Sequence, residues 1–221
     1  MKRSNLIISF IMNIMIFILV ALGTVFMMTG FRFMGNHEVL AATGMSPFRF
    51  YTVDSNILAL IASLILIVYE CLLLKGKIKE IPKYVYVIKY IGTVAVTLTF
   101  LVTLLYLAPA YGSKFLLLYQ NSNLFFHLIV PVLSFISFVS FEKTKLDFKY
   151  TFYGTSTMLI YGIFYGINVY IHQIDGIVPT EYDWYGFVRG GISSMYIVYI
   201  VMFIFTYGIS FVIYKLNKVK E

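Results

Sequence analysis

His127 is a titratable side chain inside an otherwise apolar run of the sequence, LFFHLIVP, which is typical of a membrane-spanning helix. Ionisable groups in hydrocarbon are costly and rare, and they usually serve a function. A neutral imidazole can instead be structural and bond across helices, for about 0.6 kcal/mol. As a general base, His127 needs a partner with a transferable proton, and Thr52 is the best candidate at the matching depth. The alternative hydroxyl groups are those of Tyr51, Ser55 and Ser134.

Polar residues recur at helical spacing near one end of three apolar runs. Steps of three and four residues place each set on one helix face, which predicts a polar pocket between the second, fourth and fifth apolar runs. Pro131 also removes the amide that would bond the His127 carbonyl, so a kink is expected there. The three stripes are Thr52, Asn56, Ala59 and Ser63; Asn123, His127, Pro131 and Ser134; and Tyr161, Tyr165, Asn168 and His172. A simpler interpretation makes helix N-caps of Ser55, Asn56, Ser122 and Asn123.

Acidic residues fall on the same predicted side as the histidines. Three of them are candidates to orient His127: Asp54, Asp175 and Asp183. His37 and His172 share that side with His127 and could contribute to a metal site, but the chain carries neither an HExxH pattern nor paired CxxC motifs. We therefore expect no metal and no other cofactor.

The composition is that of an integral membrane protein. The chain has 221 residues, of which 60% are hydrophobic and 12% charged, and its mean hydropathy is +0.86. Soluble domains are about half apolar and about a quarter charged. We predict one all-α domain over residues 1–221, without an internal disulfide because Cys71 is the single cysteine. The net charge is +7, but the lysines and arginines do not form a basic stripe, so nucleic acid is not an expected partner.

Six apolar runs are close to the roughly 20 residues that cross a bilayer. They are approximately Asn5–Met28, Val53–Leu74, Tyr84–Leu107, Leu124–Phe141, Phe152–Tyr170 and Gly191–Tyr214. The first run is longer than the apolar core of a signal peptide, so we expect it to be a retained helix.

The basic residues are distributed unevenly between the two sides that six spans define. One side holds thirteen of the 17 lysines and arginines. The other side holds only Arg32, Arg49, Lys114 and Arg189. Because basic loops stay in the cytoplasm, both termini are predicted to be cytoplasmic in a plasma-membrane protein.

Two short segments resemble a known family. The segment FYTVDSNIL at Phe50–Leu58, followed by HLIVP at His127–Pro131, is similar to the androgen-induced-protein family of multi-pass membrane proteins. The likeness covers the six-helix layout and most of the chain, and DWYGF at Asp183–Phe187 resembles a segment of bacterial members. Animal members hydrolyse fatty acid esters of hydroxy fatty acids with a threonine and a histidine, and the resemblance implies these roles for Thr52 and His127. The Ser55-Asn56 pair is closer to the bacterial members, which have no assigned substrate.

The expected function is a membrane-embedded lipid-ester hydrolase at the outer leaflet, surrounded by membrane lipids. His127 takes the proton of Thr52, which forms an acyl-enzyme, and then activates water. The side chains expected to support the pocket are Ser55, Asn56, Asn123, Ser134, Tyr165, Asn168 and His172, with the two asparagines Asn56 and Asn123 as oxyanion donors. The alternatives are a lipid- or small-molecule-binding protein or transporter that uses the same pocket, and a structural or partner-binding subunit.

Overall fold

The computed structural model describes residues 3–35 and 42–217, and this part of the chain is all-α. His37 lies outside the described ranges, as do three of the thirteen basic residues on the predicted cytoplasmic side, Lys2, Lys218 and Lys220. The helices of the described chain are α1 (Arg3–Thr29), α2 (Tyr51–Leu74), α3 (Lys83–Tyr119), α4 (Ser122–Phe141), α5 (Tyr150–Tyr153), α6 (Ser156–Ile171) and α7 (Ile192–Asn217). A short 3-10 turn, Ser46–Arg49, precedes α2.

Five of these helices, α1, α2, α3, α4 and α7, are long and apolar enough to cross a membrane. The mean hydropathy of their best windows lies between 2.1 and 2.7. The fifth predicted run is divided between the short α5 and α6, which has 16 residues. The all-α prediction is confirmed, and the described chain has the five apolar helices expected of a multi-pass membrane protein.

Each proline inside a long helix follows a π-helical turn. Pro109 in α3 comes after the turn Thr103–Leu107, and Pro131 in α4 comes after Phe125–Ile129. A proline lacks an amide hydrogen, and its ring meets the carbonyl four residues earlier. A π turn widens the helix at that point, so both helices continue past the proline. The distortion predicted beside His127 therefore takes the form of a π turn that contains His127 itself.

Helix α3 packs against α2 at a glycine. A Cβ atom on Gly92 would lie 3.4 Å from both Ala59 Cα and Ala62 Cβ. Helix α3 also shares an apolar core with α4, α6 and α7, in which Tyr90 and Phe138 are fully buried. A second core joins α1, α2 and α4. Helices α3 and α4 are thus the elements that connect the two halves of the bundle.

The junction between α5 and α6 packs directly on α7. A Cβ atom on Gly154 would lie 2.2 Å from Ser210 Oγ and 3.0 Å from Ser210 Cβ. Ser210 Oγ donates to the Thr151 carbonyl at 2.7 Å and lies 2.5 Å from the Tyr90 hydroxyl. Space at Gly154 is therefore what allows α7 to bond to the α5 turn.

We predict that Gly154→Ala destabilises the protein by about 1–3 kcal/mol, because the new methyl group must displace a buried, hydrogen-bonded serine. Thermal unfolding in detergent micelles measures the loss. The matched control is Gly208→Ala in α7, where a Cβ atom would meet nothing within 4 Å. Equal melting temperatures for the two variants would contradict this account of the junction.

Candidate functional site

The buried His127 side chain is held by a backbone carbonyl. Its Nδ1 lies 2.8 Å from the carbonyl oxygen of Leu118, at the end of α3, and the residue is 1% exposed. A carbonyl oxygen only accepts hydrogen bonds, so Nδ1 carries the hydrogen. In the neutral ring this leaves Nε2 as an acceptor, and within the described chain Nε2 makes no hydrogen bond. The histidine is therefore fixed in the tautomer that a general base requires.

Asn56 connects α2 to the turn that carries His127. Its Nδ2 donates to the Thr52 carbonyl at 2.8 Å and to the Phe126 carbonyl at 3.3 Å. The amide of Asn56 is thus already used, which leaves it no hydrogen for the oxyanion role predicted for it. Its Oδ1 is buried and makes no hydrogen bond in the described chain. The Asn56 side chain therefore links the turn of α2 that contains Thr52 to the turn of α4 that contains His127, and its Oδ1 remains available as an acceptor.

Two of the four candidate nucleophiles are already bonded to other groups. The Tyr51 hydroxyl lies 2.9 Å from Thr157 Oγ1, and Ser55 Oγ lies 2.9 Å from Thr99 Oγ1. The described chain shows no hydrogen-bond partner for the Thr52 or Ser134 hydroxyl.

Thr52 is the better of the two remaining candidates. Ser134 follows His127 by seven residues on the same helix, a rise of about 10 Å. Thr52 lies on the adjacent helix α2, on the side where Asn56 bonds to Phe126. No hydrogen bond joins Thr52 to His127 in the described part of the chain, so the pair is adjacent by helix but not in contact as a dyad.

The N-cap interpretation is wrong for Ser55 and Asn56. Helix α2 begins at Tyr51 with Phe50 as its N-cap, so both residues lie in the second turn. Their side chains bond to the Thr52 carbonyl behind them instead. Ser122 and Asn123 are buried at the first positions of α4, whose N-cap Asn121 makes no side-chain capping bond.

None of the acids proposed to orient His127 makes a hydrogen bond to it in the described chain. Asp54 and Asp175 are exposed. Asp183 is buried, and its carboxylate accepts bonds from the Phe187 and Val188 amides at 2.8 and 3.2 Å. The Leu118 carbonyl takes the position that a carboxylate was expected to fill. Sequence reasoning missed it because any residue type supplies a backbone carbonyl.

The polar stripe of α6 holds the loop between α6 and α7. The hydroxyl of Tyr165 donates to Asp183, and Asn168 Nδ2 donates to the Tyr182 carbonyl at 2.8 Å. The His172 ring stacks on Tyr182 with centroids 3.7 Å apart. In the described chain these hydrogen bonds and ring contacts go to α6 and its loop rather than to His127.

The same loop fixes the start of α2. Tyr185 Oη accepts from the Tyr51 amide at 2.8 Å, and burial raises the pKa of Tyr185 well above its usual value, so the phenol stays protonated. Trp184 Nε1 donates to the Tyr161 hydroxyl at 3.1 Å, which donates to the Arg49 carbonyl at 2.6 Å. The DWYGF segment therefore positions the first turn of α2, where Thr52 lies.

Asn121 holds the loop after α1 against the start of α4. Its φ is +53°, and its Oδ1 accepts from the amides of Phe33 and Met34 at 2.7 and 2.8 Å. Asparagine tolerates this left-handed backbone better than most residues. Sequence patterns did not single out Asn121, because its partners are backbone amides of a loop that is distant in sequence.

The fold and this site together describe an α-helical protein with membrane-spanning character and a buried histidine near one end of the bundle. The chain matches no family model, no curated protein and no solved structure. The function of the site is therefore inferred from its own geometry.

We predict that Asp183→Ala exposes the loop to proteolysis, because two backbone amides and a buried tyrosine lose their acceptor. Removing the acceptor of such groups costs about 1–3 kcal/mol, so trypsin cleavage after the exposed Arg189 should accelerate by at least about five-fold. Asp175→Asn is the control, since Asp175 is exposed in the neighbouring turn. Unchanged cleavage in Asp183→Ala would show that the carboxylate does not hold the loop.

Proposed function

We propose that the protein is a membrane-embedded hydrolase of lipid esters, with Thr52 as nucleophile and His127 as general base. The observation that carries the proposal is the bond between His127 Nδ1 and the Leu118 carbonyl at 2.8 Å, which keeps Nε2 unprotonated in a buried site. Within the described chain Nε2 has no hydrogen-bond partner, so this nitrogen is available to accept a proton. The resemblance of the segments around Thr52 and His127 to a hydrolase family supports the same assignment.

Each half of the reaction moves one proton through His127. In acylation, Nε2 accepts the proton of Thr52 as the hydroxyl oxygen attacks the ester carbonyl, and the imidazolium gives this proton to the leaving alcohol. In deacylation, Nε2 accepts a proton from the water that attacks the acyl-enzyme, and the imidazolium returns it to Thr52 Oγ as the fatty acid leaves. The Leu118 carbonyl favours the imidazolium form, since it accepts from Nδ1 throughout. The Thr52–His127 hydrogen bond forms in the substrate complex, because such bonds are often long in free enzymes.

Buried polar atoms near His127 support a polar ligand at this site. Three oxygens there have no hydrogen-bond partner in the described chain, although buried polar groups are almost always paired. They are Asn56 Oδ1, Tyr119 Oη and Ser122 Oγ. An ester, an alcohol or water bound beside His127 would supply the missing partners.

The proposal includes a topology. The α5 and α6 helices together form the sixth crossing, and both termini face the cytoplasm of a plasma-membrane protein. The excess of lysine and arginine on one side of the six runs supports this orientation. His127 and the start of α2 then lie in the outer leaflet.

We predict that Thr52→Ala and His127→Ala each lower the hydrolysis of a lipid ester by at least about 100-fold, since each removes one half of the proton transfer. Purified protein in nanodiscs is assayed with an ester of a hydroxy fatty acid, and a fluorophosphonate probe should label the wild type. Ser55→Ala and Ser134→Ala are the matched controls and should retain activity. Retained activity in both Thr52→Ala and His127→Ala would overturn the mechanism.

A second candidate function is non-catalytic binding or transport of a lipid or small polar molecule at the same place. The absence of a Thr52–His127 hydrogen bond among the described residues favours it. It predicts no hydrolysis by the wild type, together with ligand binding that His127→Ala weakens.

We predict opposite labelling of two single-cysteine variants that flank the proposed sixth crossing. In a Cys71→Ser background, a membrane-impermeant maleimide should label Arg189→Cys on intact cells and Lys149→Cys only after permeabilisation. Both positions are exposed, so access to the reagent depends on the side of the membrane. Labelling of both variants on intact cells would place α5 and α6 on one side.

A further inference from the structure

A buried polar cluster lies at the opposite end of the bundle from His127. It contains a lysine from α3, one glutamate from α2 and a second glutamate directly after α4, and every member is at most 1% exposed. We call it the Lys89 cluster. Its members are Ser9, Asn13, Ser63, Glu70, Lys89, Ser137 and Glu142.

The lysine of this cluster is coupled to one of the glutamates through an asparagine. Lys89 Nζ donates to Asn13 Oδ1 at 2.7 Å and to Ser63 Oγ at 2.9 Å. Asn13 Nδ2 in turn donates to Glu142 Oε1 at 2.8 Å. Ser137 also donates to Glu142 Oε1. This acceptor role identifies Glu142 as the ionised partner of the Lys89 ammonium group.

The second glutamate reaches the first through a serine. Ser9 Oγ lies 2.5 Å from Glu70 Oε1 and 3.2 Å from Glu142 Oε1. A serine hydroxyl has a single hydrogen and cannot donate to both carboxylates. If Ser9 donates to Glu142, the contact with Glu70 requires a hydrogen on Glu70, which then donates to Ser9.

The charge balance of the Lys89 cluster also requires a proton on one of the two glutamates. With both glutamates ionised, one ammonium faces two carboxylates, and one negative charge is left in a buried site, which is strongly unfavourable. Glu70 Oε2 and Glu142 Oε2 are both buried without a hydrogen-bond partner in the described chain. One proton neutralises the cluster, and Glu70 is its natural holder because it accepts fewer bonds than Glu142.

Helix α3 also contributes Tyr86, which interacts electrostatically with both carboxyl groups. From α1, Ser9 and Asn13 bond to the glutamates, and neither of them titrates. The described residues contain no group of three or more His, Cys, Asp or Glu side chains that could hold a metal ion. A lysine already provides the cluster with one cation, so the missing positive charge is that of a single proton.

We propose that the Lys89 cluster is a proton-binding site in which Glu70 carries an exchangeable proton and Glu142 remains ionised beside Lys89. Along α2, Glu70 follows Asn56 by 14 residues, a rise of about 21 Å, so this site is separate from the one at His127. It does not depend on the hydrolase assignment. Buried carboxyl groups in membrane helices mark proton and ion pathways in general, and Glu70 gives this chain a place where a proton can be held.

Infrared difference spectroscopy of the full chain in nanodiscs tests the proposal through the carbonyl stretch of a protonated carboxyl group. The wild type should show this band at neutral pH and lose it as the pH is raised. Glu70→Gln, which preserves size and hydrogen bonding, should abolish the band. Glu80→Gln is the matched control, because Glu80 is exposed in the loop after α2, and its spectrum should be that of the wild type.

Removing the lysine should change the band in the opposite direction. In Lys89→Met, Glu142 loses its cation and takes up a proton, so the intensity of the band should about double. In Glu142→Gln, Glu70 becomes the sole counter-ion of Lys89 and should ionise, so the band should disappear. This second variant decides the case if Glu70→Gln does not fold.

Three results would overturn the proposal. One is a wild-type spectrum without a protonated carboxyl band at any pH, which makes the cluster an ordinary buried ion network. Another is a band that persists in Glu70→Gln or, where that variant does not fold, in Glu142→Gln. The third is a wild-type band that sodium removes when it replaces choline at constant pH, which identifies a sodium site.

Discussion

The ammonium group of Lys89 is buried among apolar helices, and the arrangement of α1 to α4 depends on giving it partners. A polar group without a partner costs several kcal/mol in hydrocarbon, and an unpaired charge costs more. Asn13 and Ser63 bond to the ammonium directly, and Asn13 passes the interaction to Glu142. These contacts fix α1, α2 and α3 relative to one another and tie in the end of α4. Breaking a buried ion pair by removing one partner typically costs about 3–5 kcal/mol.

With that end of the bundle fixed, the opposite end brings α2 and α4 together at Asn56 and Phe126. The π turn before Pro131 matters here because it changes the direction of the His127 side chain relative to a regular helix. His127 then meets the Leu118 carbonyl. Pro131 would interrupt a regular helix, and the π turn before it accommodates the proline. Because this turn also carries His127 to the Leu118 carbonyl, the imidazole has a fixed tautomer in an apolar environment.

The aromatic loop after α6 shows where sequence patterns lead in a wrong direction. The shared face of Tyr165, Asn168 and His172 predicts a pocket around His127, yet the bonds and ring contacts of these residues are made within α6 and with the loop that follows it. Periodicity identifies a common face but not the element that covers it. The loop can cover this face because the Asp183 carboxylate accepts hydrogen bonds from the loop amides of Phe187 and Val188 as well as from the Tyr165 hydroxyl. The DWYGF segment carries that information, although only the fold reveals it.

The sequence by itself determined the all-α class, the positions of five apolar helices and the unusual character of His127, because run length and residue type act locally. It also pointed to Pro131 as a site of helix distortion. Only the tertiary structure decided which polar side chains meet, because partners such as Leu118, Asn13 and Glu142 are distant in sequence or are backbone atoms. Likewise, Ser210 of α7 packs on Gly154 at the junction where the fifth run is divided. Helix formation is local, whereas the pairing of buried polar groups depends on how the helices pack.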